Sequence, residues 1–129
     1  MNQREYEDKY DEIKSELRKL EEEQQDCRSL KRAIEAEEED RERALNIIYV
    51  RNEELEKDWR RRNMIGNKDY LFQETEERLN KVRSERNSIL RDDFDDLNQY
   101  MKKLSQQEEE YQEKLSKLKR EYEDQKEEH

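Results

Sequence analysis

The chain has 129 residues, 51% of them charged and 29% hydrophobic, and 28 Lys and Arg stand against 38 Asp and Glu for a net charge of -10. It holds no proline and a single cysteine, Cys27, which excludes an internal disulfide and a cysteine-based zinc site. So charged a chain could be disordered, but the lack of proline and the abundance of Glu, Lys, Arg, Gln and Leu favour long helices associating along a narrow apolar seam.

The opening segment MNQREYEDKY lacks the basic end and apolar run of a signal peptide. No window approaches the roughly 18 apolar residues that a membrane span needs. The expectation is a cytoplasmic protein without membrane contact, with co-export by a route lacking a cleavable signal as the alternative. From about residue 3 to 62, side chains at alternating steps of four and three define a first helix. They are Tyr6, Tyr10, Ile13, Leu17, Leu20, Gln24 and Cys27, then, after a slip through Leu30 and Ile34, Glu38, Arg41, Leu45, Ile48, Asn52, Leu55 and Trp59. This is the heptad spacing of a helix packed along another helix.

Residues 63–68 carry the only glycine, Gly66, which suits a left-handed helix stop. Arg60, Arg61 and Arg62 precede it, where cations complement the negative end of the helix dipole. Asn67 and Asp69 are candidate N-caps for a second helix with Glu74 and Glu76 near its start. That helix spans about 69–126 through Phe72, Thr75, Leu79, Val82, Arg86, Leu90, Phe94, Leu97, Met101, Leu104, Glu108, Tyr111, Leu115, Leu118 and Tyr122. Two successive steps of four, Arg86 to Leu90 to Phe94, form a stutter that locally unwinds a supercoil.

The expected fold is therefore all-α, a single domain over 1–129 built as an antiparallel helical hairpin of two long coiled-coil helices joined by a short turn near residues 63–68. The fold-back places Tyr6 near Tyr122, Ile13 near Leu118, Leu20 near Tyr111 and Cys27 near Leu104, and sets the acidic run from Glu35 to Arg43 opposite Ile89–Phe94. The alternative is one unbroken helix of about 190 Å, at the rise of an α-helix. Glycine costs it only about 1 kcal/mol.

One seam with polar members is a thin source of stability against an ordering entropy of about 1.5 kcal/mol per residue. Apolar side chains beyond the seam, above all in the run LNIIYV from Leu45 to Val50, widen the stripe enough for contact with more than one helix. The expected partner-binding residues are Leu45, Ile47, Ile48, Tyr49, Val50, Trp59, Arg60, Arg61, Arg62, Ile65, Tyr70, Leu71 and Phe72, with Trp59 and the arginines as anchors.

No catalytic, cofactor-binding or metal-ligating residues are expected, and the protein does not read as an enzyme. The only histidine is the terminal His129, and the chain has no calcium loop or phosphate-cradling glycine loop. Cys27 fits the seam as a small apolar residue. The basic group Lys57, Arg60, Arg61, Arg62 and Lys68 is short and set in an acidic chain that nucleic acid phosphates would avoid.

A helix ending in tryptophan, a polar turn and an aromatic-started second helix rich in Glu and Arg, as in LEKDWRRRNMIGNKDYLFQETEERLNKVRSERN, resemble the small helical targeting proteins encoded with LXG-domain toxins of type VII secretion. The likeness extends loosely over residues 45 to 125. The Trp-x-Gly turn of the related WXG hairpins is not met, because Trp59 is followed by three arginines and glycine comes only at Gly66. The resemblance implies a non-enzymatic adaptor that packs against the helical N-terminal domain of a toxin, alongside a second small helical protein, and promotes its export. Two further readings remain open: a self-assembling coiled-coil scaffold closing as a homodimer, and a prefoldin-like holdase, for which MIGNKDYLF is too short and too polar to supply a strand-forming platform.

Overall fold

The computed structural model describes residues 1–62 and 70–127. They form two helices, α1 (Gln3–Arg61) and α2 (Tyr70–Glu127), with no strand among the described residues. The architecture is the all-α antiparallel helical hairpin. The turn expected at 63–68, with Met64, Ile65, Gly66, Asn67, Lys68 and Asp69, lies outside the described residues, as does His129.

The start of α1 is capped by Asn2, whose Oδ1 accepts a hydrogen bond from the backbone N–H of Glu5 at 2.8 Å. Arg60 and Arg61 occupy its last turn, as the dipole favours. The first turn of α2 is Tyr70–Leu71–Phe72–Gln73 and holds no acidic residue; Glu74 and Glu76 fall beyond it.

Contacts divide the chain into an outer unit, Met1–Lys31 with Asp96–His129, and an inner unit, Arg32–Asp95. In the outer unit the expected ladder holds except at Leu30, which is exposed while Lys31 takes the partly covered place and reaches Asn98 across the seam. Leu20, Gln24, Cys27, Leu104, Leu115 and Leu118 are buried, Leu104 most deeply at 2% exposure. Leu20, Cys27 and Leu104 form one cluster with Leu97, Met101 and Tyr111 packed on it. Tyr6 stacks on Tyr122 with ring centroids 4.0 Å apart, and Ile13 and Leu118 share a groove. The polar seam pair closes on itself: Gln24 Nε2 donates to Glu108 Oε2 at 2.7 Å. The Tyr100 hydroxyl donates to Glu23 at 3.1 Å, and that bond to a carboxylate raises the phenol's pKa above its ordinary value.

No residue of the inner unit is fully buried among those described. The acidic run does lie against Ile89–Phe94, as expected: Glu37, Glu38 and Arg41 line one groove with Ile89, Leu90 and Asp93. The ladder itself departs from expectation. The partly covered positions of α1 in this unit are Ile34, Glu38, Glu42, Leu45, Tyr49, Asn52, Glu56, Asp58 and Trp59, whereas Arg41, Ile48 and Leu55 are exposed. On α2, Arg83 takes the place expected for Val82. The physical reason is a second stutter. The Arg86–Leu90–Phe94 steps of four are matched across the hairpin by Ile34–Glu38–Glu42, and beyond them Leu45, Asn52 and Trp59 keep their rungs while Glu42, Tyr49 and Glu56 replace Arg41, Ile48 and Leu55.

Candidate functional site

The inner unit combines a mixed seam, where charged and amide side chains stand among Ile34, Leu45, Leu79 and Leu90, with aliphatic side chains exposed on its exterior. Arg83 extends between the helices to pair with Glu42 at 2.8 Å, donates to Asn46 Oδ1 at 3.0 Å, and holds its guanidinium 4.7 Å from the centre of the Tyr49 ring. Arg86 reaches Glu38 at 3.9 Å, and the Tyr49 hydroxyl pairs with Asn80. Asn52 Nδ2 donates to the backbone carbonyl of Phe72 at 3.0 Å. An arginine stem supplies the apolar packing here and its head satisfies the carboxylates, which a valine at the same place could not do.

The expected partner-binding residues divide accordingly. Leu45, Tyr49, Trp59 and Phe72 turn towards the opposing helix and are half-buried. Trp59 meets Phe72 edge-on at 6.3 Å, so the tryptophan is used within the hairpin, although its buried Nε1 has no hydrogen-bond partner among the described residues. Ile47, Ile48, Val50, Tyr70 and Leu71 are exposed, as are Arg60, Arg61 and Arg62. Arg60 pairs with Glu56 at 2.7 Å and Arg62 with Asp58 at 3.4 Å, each one helical turn back. Ile65 lies outside the described residues.

Three further exposed apolar residues, Leu55, Val82 and Ile89, belong with this group. Sequence spacing assigned Leu55 and Val82 to the seam and set Ile89 opposite the acidic run. Their place follows from the two sides of the hairpin. On the first side, Arg41 of α1 stands beside Ile89 of α2. Seven-residue steps, which keep a side chain on one stripe, lead from Arg41 to Ile48 and Leu55, and from Ile89 back to Val82. By this spacing the four aliphatic side chains share one side of the hairpin, continuing the stripes that border the Arg41–Ile89 groove, with exposures of 46% for Ile48, 59% for Leu55, 44% for Val82 and 62% for Ile89. On the second side, where Glu39 and Asn87 meet, the surface of α2 is polar, lined by Asn80, Ser84, Asn87, Ser88 and Arg91.

Among the described residues no group of three or more His, Cys, Asp or Glu side chains is placed to hold a metal ion. Among those same residues no helix is long and apolar enough to cross a membrane. No family model, curated protein or solved structure matches the chain.

Proposed function

We propose that the protein is a non-enzymatic adaptor that uses the inner half of its hairpin to pack against a helical client. The observation that carries this reading is the set of aliphatic side chains that the inner unit leaves outside its seam. Charged and amide side chains share the partly covered positions with Ile34, Leu45, Leu79 and Leu90, while Ile47, Ile48, Val50, Leu55, Val82 and Ile89 face solvent. Exposed aliphatic rows on a chain of such low hydrophobic content mark a surface kept for a partner. The resemblance to the targeting proteins of type VII secretion supplies the client: the helical N-terminal domain of an LXG-type toxin, escorted to export with the aid of a second small helical protein.

A self-assembling scaffold is the second reading. It draws on the separate patch of Ile47 and Val50, where Arg51 and Glu54 offer opposite charges that a two-fold axis could pair between copies. Light scattering on a size-exclusion column, with circular dichroism over a dilution series, separates the two. A monomer, or a chain that loses helix on dilution, supports the adaptor with its open face. A helical dimer stable to dilution, dissociated by Ile47→Asp, supports the scaffold.

A further inference from the structure

We propose that the groove flanked by Ile48, Leu55, Val82 and Ile89 receives a single amphipathic helix of a second protein, basic at the end that lies over Glu37 and Asp93. This deepens the adaptor reading and rests on it. The two rows of the groove each advance by one heptad, from Ile48 to Leu55 and from Val82 to Ile89. That advance is about 10 Å along the axis at about 1.5 Å per residue, the step at which a third helix presents its own seam. Among the described residues, α2 carries such a row on this side alone; its other side is lined by asparagine, serine and arginine. One helix, laid in one groove, is the occupant this shape takes.

Charge decides the chemistry of that helix. Between residues 35 and 42, α1 carries six carboxylates, and Asp92, Asp93 and Asp95 stand on the facing stretch of α2. Of the cations near this end, Arg41 pairs with Glu37, Arg43 with Glu39 and Asp40, Arg83 with Glu42 and Arg86 with Glu38, while Arg32 and Arg91 are in none of these ion pairs and are outnumbered by the carboxylates around them. Glu35, Asp92, Asp93 and Asp95 take part in none of the ion pairs of the described residues. Asp93 lines the groove itself, beside Ile89. Lysine or arginine from the incoming helix complements this end, and the apolar remainder of its seam covers Ile48, Val82 and Leu55. A second copy of the chain fits poorly. It brings another net charge of -10, and its segment 51–62 offers five cations almost offset by four carboxylates.

The test uses the full chain and a synthetic three-heptad peptide with leucine along one seam and lysines confined to one end. Controls are a peptide with the same residues and the leucines moved off the seam, and one with glutamate for lysine. Binding is followed by calorimetry at low and high salt. The seam peptide is expected to bind one to one, with both controls about tenfold weaker or worse. Ile48→Asp and Val82→Asp, exposed positions where the fold survives, are expected to weaken it about tenfold or more by removing a buried aliphatic contact. Ser84→Asp on the polar side leaves it unchanged. Equal binding by the scattered-leucine peptide, or silence of both aspartate variants, overturns the groove. A dimer that resists dilution and comes apart on Val82→Asp gives the groove to a second copy and overturns it as well. Loss of peptide binding while a helical LXG-type toxin domain still binds removes this groove alone; loss of both removes the adaptor reading too.

Discussion

In the outer unit, α1 and α2 meet through leucines, a cysteine and two stacked tyrosines. In the inner unit the same two helices meet through a mixed and only partly covered seam, in which Arg83 and Arg86 with their carboxylates, Tyr49, Asn52 and Asn80 stand among Leu45, Trp59, Phe72, Leu79 and Leu90. Both segments are helical and both are highly charged, so propensity does not separate them. They differ in where the aliphatic side chains go. The outer unit spends them on its own cohesion. The inner unit leaves Ile48, Leu55, Val82 and Ile89 outside, which lowers its intrinsic stability and keeps area for association.

The largest effect expected from this contrast is at Leu104. Leu104→Ala removes the most deeply buried side chain and costs about 2–4 kcal/mol. Leu79→Ala on the half-buried inner ladder costs about 1 kcal/mol, because part of that side chain is already hydrated. Urea unfolding of the two variants followed by circular dichroism checks the order, and equal losses would break the comparison.

Arg83→Ala comes next, at about 1 kcal/mol, since its pair with Glu42 and its stack on Tyr49 are partly open to water. Its cost should fall in high salt, whereas that of Leu104→Ala should not. The joint change of Gln24→Leu and Glu108→Leu sharpens the contrast in the other direction. Replacing that polar pair with aliphatic packing should stabilise the outer unit by about 1 kcal/mol, seen as a higher unfolding midpoint. Arg43→Ala, which loses only exposed contacts to Glu39 and Asp40 on its own helix, should change stability by less than about 0.5 kcal/mol.

The outer ladder was legible because apolar residues recur there at an unbroken heptad spacing, and Tyr6 with Tyr122, Cys27 with Leu104 and Gln24 with Glu108 follow from it. The inner ladder was not. From Leu45 to Val50 nearly every direction around the helix is apolar, so hydropathy accepts either Ile48 or Tyr49 at the same rung. What selects Tyr49 is Arg83 on the other helix, which a hydropathy pattern counts as solvent-facing although its long stem packs between helices. The stutter on α2 was visible in sequence, and its match at Ile34–Glu38–Glu42 was hidden by two carboxylates. For the candidate surface, the width of the stripe pointed to exposed Ile47, Ile48 and Val50. It did not show that Trp59 and Phe72 are taken up by each other.

Native-state hydrogen exchange resolved along the free chain tests the central claim most directly, because it reads each helix segment by segment. The account predicts strong protection of amides near Leu20, Cys27, Leu104 and Leu115, and markedly faster exchange from about Glu35 to Trp59 and from Phe72 to Phe94. Protection as strong in the inner segments of a monomeric chain as in the outer ones would contradict it, since a mixed, partly hydrated seam with several aliphatic side chains left outside would then be as stable as a packed apolar one.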